Sequence, residues 1–356
     1  MKDSIEEKYL GDIVDKSGTV RKTIEDRRKK GYGIVAEILA ILEEVPLGAY
    51  KMEIGLKLRQ AMLLNGILFN SEAWHSISEK EIRMLEEVDE HLLRSLVRGH
   101  SKTPLEFLYL ETGSLPIRNV IQTRRMLYLQ TILKREDAEL IKRIYFAQRE
   151  EPSPGDFTEM IKTDFENIEE RLDEKAIEMV STNSYKRFIK AKVRHAALKY
   201  LNEKKEKHSK ISGIEYKQLE TQNYVTSPLF SNSEVNLLFA LRSRSVDCKQ
   251  NFKNHYTNDL LCNLCQRGND SQAHILTCSV LSKHFKTSDI MQENIEYDDI
   301  FKDHRKQKHI TALFKTLIEI RKKLLEEKQS NPSTIDVVLG NSNDVLDCID
   351  NYSSGK

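Results

Sequence analysis

The sequence predicts a mostly α-helical protein with a short N-terminal β-hairpin, a small metal-binding loop and a C-terminal helix. Three observations carry this. Apolar residues recur at helical spacing through most of the 356 residues. With 14 Gly and 7 Pro, the chain is poor in the turn formers that a many-stranded fold needs. Finally, Cys262, Cys265, His274 and Cys278 stand as C-x2-C-x8-H-x3-C, a spacing suited to one metal ion.

Strand character is confined to the start. Tyr9 to Val14 alternates weakly, Asp15-Lys16-Ser17-Gly18 reads as a turn, and Thr19-Val20 reads as a returning strand. From residue 21 the period is helical. Ile34, Ile38, Leu42 and Val45 form a stripe that Pro46 stops. Leu56 to Phe69 is apolar nearly all round and predicts a central helix. Ser78 and Glu81 form a capping box before Ile82, Leu85, Val88, Leu92 and Leu96. Thr103-Pro104 with Glu106, then Leu115-Pro116, open two more helices, the second carrying Val120, Ile121, Leu127 and Leu133. Glu150 to Asp156 reads as a linker, and Asp156 with Glu159 caps a new helix. A last helix is expected from about Arg305 to Lys328, with Ile310, Leu313, Leu317 and Leu324 on its face. Beyond Ser330, Asn, Ser and Asp predominate and disorder is expected.

Charged residues make up 31% and mean hydropathy is -0.54, which predicts a soluble protein. No apolar run approaches the twenty or so residues of a membrane span. No secretory leader opens the chain, so an intracellular location, nucleus or cytoplasm, is expected, with Cys248 and Cys348 as free thiols. Net charge is only +1, so a nucleic-acid partner has to be argued from local clusters. No Gly-rich phosphate loop, nucleophile elbow or His-Glu-x-x-His motif is present, and no small-molecule substrate is evident.

In the metal motif, Cys-x-x-Cys closes a tight turn around the ion. His274 and Cys278 lie one helical turn apart and can face the same point. Three thiolates and an imidazole complete a tetrahedron, the geometry of structural Zn2+. Chance spacing is the competing explanation, and four ligand-type residues within 17 positions argue against it.

Lys186, Arg187, Lys190, Lys192, Arg194, Lys199, Lys204, Lys205, Lys207 and Lys210 crowd one segment, opposed only by Glu203 and Glu206. With Phe188, Ile189, Val193, Ala197 and Leu201 they predict a basic amphipathic helix. Lys186, Lys190 and Arg194 fall one turn apart on its polar side, as phosphate tracking requires. A solvated helix face is the plainer explanation. Arg27-Arg28-Lys29-Lys30 is a second cluster open to both explanations. Arg321, Lys322 and Lys323 suit the end of their own helix. Trp74 is expected in the core, and His75, His91, His195 and His208 have no partner at ligand or triad spacing.

Three stretches together resemble the C-terminal half of a non-LTR (LINE-type) retrotransposon reverse transcriptase. Lys8-Tyr9-Leu10-Gly11 looks like the last hairpin of that family's palm. Asn70-Ser71-Glu72-Ala73-Trp74, followed by Leu108-Tyr109-Leu110-Glu111-Thr112-Gly113-Ser114-Leu115-Pro116-Ile117-Arg118, is similar to its thumb region. Cys262 to Cys278 is similar to its zinc knuckle. The resemblance covers roughly residues 6 to 325 and implies a remnant palm hairpin (1–20), a thumb-like helical bundle (21–150) and a basic helical linker (151–245). A CCHC zinc knuckle (246–285), a C-terminal helix (286–329) and a disordered tail (330–356) complete the chain. It also implies RNA or DNA as partner.

The palm carboxylates of that family are expected to be missing, since they lie upstream of the hairpin and only eight residues precede Tyr9. Tyr297-Asp298-Asp299 is no substitute, because it lacks the intervening residue and the flanking apolar strands. Nor do residues 279–356 offer the strand-rich core and spaced acids of an endonuclease. The expected function is nucleic-acid binding by a truncated reverse transcriptase region, inactive alone. The alternatives are a helical protein-interaction module with a purely structural zinc site, or a decayed element product.

Overall fold

The computed structural model describes residues 6–9, 11–15, 19–45, 50–74, 76–256, 259–284 and 296–330. Within them the chain is mostly helical, with one two-stranded antiparallel hairpin, as the sequence predicts. His75, Cys348 and the tail beyond Ser330 lie outside the described residues.

The hairpin pairs β1 (Glu6–Tyr9) with β2 (Asp12–Asp15), and Tyr9 faces Asp12 in register. The turn of this pairing therefore falls at Gly11, and residues 16–18 of the expected turn lie outside the described residues. Gly11 takes φ +92°, a conformation that only glycine adopts without strain. Thr19-Val20 is not a strand; Val20 is the N-cap of α1.

The packing divides the chain into two compact units. The first comprises Met1–Pro46, Glu53–Leu96 and Pro104–Gln222. It contains α1 (Arg21–Glu44), most of α2 (Tyr50–Leu58) and α3 (Leu64–Ile67), with one π-helical turn at Arg59–Leu63 between the last two. Then come a 3-10 turn (Ser71–Ala73), α4 (Glu79–Val97), α5 (Leu105–Thr112), α6 (Ile117–Leu133), α7 (Leu140–Glu150), α8 (Phe157–Asn167), α9 (Glu174–Met179) and α10 (Thr182–Lys205).

The buried stripe of α1 is Ile24, Gly31, Val35, Ile38 and Leu42. Gly31 is needed because a Cβ there would stand 2.8 Å from Val88 and 2.9 Å from Ile67. The predicted capping box of α4 is present: the Glu81 carboxylate accepts from the Ser78 N–H (2.7 Å) and Ser78 Oγ accepts from the Glu81 N–H (3.3 Å). Trp74 is buried, as expected. Glu150–Asp156, expected as a boundary, is a connection inside this unit. The helices on either side of it pack on one another, and one core runs from Met126 through Phe165 to Val193. Composition marks a turn, and burial decides whether a turn is also a boundary.

The stretch Leu108 to Arg118 organises much of this unit. Gly113 ends α5 at φ +62°. A Cβ there would meet the Thr221 backbone N at 2.0 Å, so only glycine lets residues 219–222, a strap across the end of α5, approach. Thr221 Oγ donates to the Thr112 carbonyl (2.9 Å) and Gln222 N to that of Glu111 (3.0 Å). The Tyr216 hydroxyl binds the buried Glu111 carboxylate.

The second unit comprises Leu47–Met52, Val97–Thr103 and Asn223–Lys356. Its helices are α11 (Asn223–Thr226), α12 (Asn232–Arg242), α13 (Gln272–Thr277), α14 (Ser279–His284) and α15 (His304–Ser330), with 3-10 turns at Lys249–His255 and Tyr297–Phe301. Every residue of α12 from Val235 to Arg242 is buried, which makes it the unit's central helix. Ile310, Leu313, Phe314 and Leu317 of α15 are buried in the same unit, where α15 packs on α12. Tyr297-Asp298-Asp299 opens the 3-10 turn, and the Asp299 carboxylate accepts the Glu296 N–H (2.8 Å), which closes a capping box.

Candidate metal centre and basic surface

The loop from Leu260 to Asp270 folds back on itself. Leu261 and Asn269 form an antiparallel bridge, and Cys262 N donates to the Gly268 carbonyl at 2.8 Å. The Gln266 N–H then closes the Cys-x-x-Cys turn on the Cys262 carbonyl (2.9 Å), at a left-handed φ of +55°. Ser271 caps α13 by accepting the His274 N–H (3.0 Å). This places His274 in the first turn of α13 and Cys278 at its C-cap.

The ligand atoms of Cys262, Cys265, His274 and Cys278 all lie within 4.8 Å of one another. The Cys262 and Cys278 sulfurs are 3.9 Å apart, and Cys265 Sγ is 3.2 Å from His274 Nε2. A tetrahedron with metal–sulfur bonds of about 2.3 Å has S···S edges of about 3.8 Å. The four residues therefore fit one tetrahedral metal ion, and it is the only such cluster among the described residues. All four positions are filled by protein, which leaves no open position for substrate.

The protein alone does not ionise every thiol of the cluster. Burial pushes the Cys262 thiol up to about 11 despite the backbone N–H groups of Cys265 and Leu264. Burial also opposes ionisation of Cys265, yet the N–H of Arg267, the neighbouring thiols and the N–H of Gly268 hold it below the usual thiol value. A bound cation would supply the charge that ionised sulfurs at this spacing require. Gly268 also makes room: a Cβ there would lie 2.9 Å from the imidazole of His274. Cys248 is a separate, buried thiol pushed up to about 12 by burial.

The basic clusters divide. On α10, Lys186, Arg187 and Lys190 are exposed, and their charged groups have no partner among the described residues. Four others are engaged, and Lys204 lies over the Tyr200 ring. Arg194 donates to the carbonyls of Leu219 (2.7 Å) and Gly113 (3.0 Å), locking the strap onto the end of α5. Lys199 pairs with Glu169 (2.6 Å), and Lys192 pairs with Glu170. Lys205 is buried on the carbonyls of Ser212 (2.7 Å) and Ile214 (2.6 Å). Phe188, expected on the apolar face, is exposed.

In the second cluster, Arg27 is buried and donates to the Gly11 carbonyl (2.9 Å), so it braces the hairpin turn. Arg28 pairs with Glu87 (2.8 Å), Lys30 pairs with Asp26, and Lys29 alone is exposed without a partner among the described residues. Arg321 does not simply suit its helix end: it is buried against Asp270 at 2.7 Å. Sequence reasoning also misses Arg59, Asp89 and Asp270, because charged residues inside a helix or loop pattern carry no sign of their partners.

No family model, curated protein or solved structure matches the chain. No helix among the described residues is long and apolar enough to cross a membrane.

Proposed function

We propose that this chain binds RNA or DNA through the outer face of α10, and that its cysteine–histidine cluster holds a structural Zn2+ ion. One contrast carries the reading. Lys186, Arg187 and Lys190 stand within one turn and a quarter of a helix whose other cations are largely engaged internally. Unneutralised cations on one face are the feature that a phosphate backbone recognises. The stretches that resemble a LINE-type reverse transcriptase make nucleic acid the expected polyanion. Zinc is favoured by the three-sulfur, one-nitrogen tetrahedron. The role proposed is binding, not polymerisation.

The test is a salt series by fluorescence anisotropy on single-stranded RNA and duplex DNA. Replacing Lys186, Arg187 and Lys190 together by Gln lowers the slope of log K against log salt by about two to three. An unchanged slope, or no binding at about 50 mM salt, overturns the reading.

A second reading has one observation in its favour. Leu140, Ile141 and Ile144 on α7 are 70%, 37% and 44% exposed, an apolar patch suited to a protein partner. Absent nucleic-acid binding, together with loss of self-association or partner capture in Leu140→Ser/Ile144→Ser, favours the interaction module.

A further inference from the structure

Two contacts tie α15 to the cysteine–histidine loop. Asp270 lies between Cys265 and His274, so both halves of the ligand set fix its place. Its backbone N donates to the Leu260 carbonyl (2.6 Å), and its carbonyl accepts from Gln250 N (2.9 Å). Its Oδ2 accepts from Lys249 N (3.0 Å) and from Arg321 Nη2 of α15 (2.7 Å). Seven residues further along α15, Lys328 Nζ donates to the carbonyl of Asn263 at 2.6 Å. Asn263 sits inside the Cys-x-x-Cys turn. The last turns of α15 therefore touch both halves of the motif, and α13 and α14 pack along the same helix.

We propose that α15 is part of the metal centre: metal binding and docking of its second half are one coupled equilibrium, carried by Asp270–Arg321. The physical reason is the burial of the pair. Both side chains are buried, and Asp270 Oδ1 and Arg321 Nη1 have no hydrogen-bond partner of their own. If the loop loses its ion and opens, Arg321 loses its hydrogen-bonded carboxylate and keeps only the more distant charge of Asp247, a poorly compensated buried cation that proteins avoid by undocking. Linkage makes the effect reciprocal: whatever α15 loses when metal leaves, the metal loses when α15 leaves. Arg321 and Lys328 act here as positioning residues, not ligands. The inference rests on the reading of the cluster as a zinc site.

The test uses the full chain. Hydrogen exchange is followed with Zn2+ and after chelation. Amides of residues 317–330 lose protection together with those of 262–278, while α10 in the first unit keeps its own. Zn2+ affinity is measured by competition with a chromophoric chelator, and Co2+ reports the tetrahedral thiolate site by its absorption. Arg321→Met lowers affinity about 10- to 100-fold, as loss of an outer-shell partner does. Lys328→Gln, on the exposed end of the helix, lowers it several-fold without threatening the fold. Lys323→Gln, a neighbouring exposed cation, leaves it unchanged. The proposal is overturned if α15 keeps its protection while the loop opens, or if both variants hold zinc as the parent does. A parent chain that takes up no zinc removes its basis, and that outcome is read before any variant is made.

Discussion

Arg59 and Asp89 meet as a bidentate ion pair inside the first unit, with N···O distances of 2.6 and 2.7 Å. Arg59 also donates to the Leu115 carbonyl (3.0 Å), and the Tyr109 hydroxyl donates to Asp89 (3.0 Å). Burial opposes the charge of Arg59, but Asp89 more than compensates and raises its pKa. Burial beside Asp89 drives the Tyr109 phenol well above its usual value, so it stays a donor. The pair begins at the π-helical turn of Arg59–Leu63 and joins it to α4, α5 and the entry of α6. Removing one partner strands the other in the interior. Arg59→Met or Asp89→Ala is expected to cost about 3–5 kcal/mol. The double change Arg59→Met/Asp89→Leu recovers much of that loss, as read by urea unfolding of the first unit.

Arg194 separates structure from binding on α10. Its bonds to the Leu219 and Gly113 carbonyls hold the strap, so Arg194→Gln costs about 1–3 kcal/mol of stability. It leaves the salt slope of RNA or DNA binding unchanged. The Lys186/Arg187/Lys190 triple variant does the reverse, changing the slope and leaving stability within about 0.5 kcal/mol. Equal salt slopes for both variants would mean diffuse charge, not a defined face.

The metal loop offers a substitution that removes no ligand. Gly268→Ala forces a Cβ to within 2.9 Å of the His274 ring, and the imidazole has to move. Overpacking of about 1–3 kcal/mol converts to a loss of Zn2+ affinity of roughly 5- to 150-fold. Cys265→Ser holds well under one zinc per chain by elemental analysis. Both leave the unfolding midpoint of the first unit in place.

Asp156 caps α8 and supplies a pH signature. Partial burial works against its carboxylate, but the N–H groups of Glu159 and Ser153 and the Thr158 hydroxyl outweigh that and lower its pKa. A depressed carboxyl contributes stability above its unfolded pKa and loses it as pH falls through the folded one. Asp156→Ala is expected to cost about 1 kcal/mol near neutrality. That cost shrinks below about pH 4. Parent and variant unfolding curves across that range check the sign.

Patterns set by neighbours in the chain are legible in sequence. The capping residues Ser78 and Asp156, the helix entries before Leu105 and Ile117, and the four metal ligands all rest on spacings of at most nine residues. Backbone geometry enforces such spacings locally, so a pattern suffices. The hairpin turn shows the limit of a local pattern: Asp15 to Gly18 has turn chemistry, but Gly11 has the conformation the pairing requires.

The sequence by itself determined the helical class, the punctuation of the helices and the Cys262–Cys265–His274–Cys278 set. Only the tertiary structure decided which charges remain available. Arg194 and Lys190 are one turn apart and indistinguishable in the sequence pattern, yet one is bonded to a strap from residue 219 and the other has no partner among the described residues. Arg321 reads as a helix-end cation and is buried on a carboxylate 51 positions away. A charge takes its role from what desolvates and neutralises it, and those groups come from distant parts of the chain.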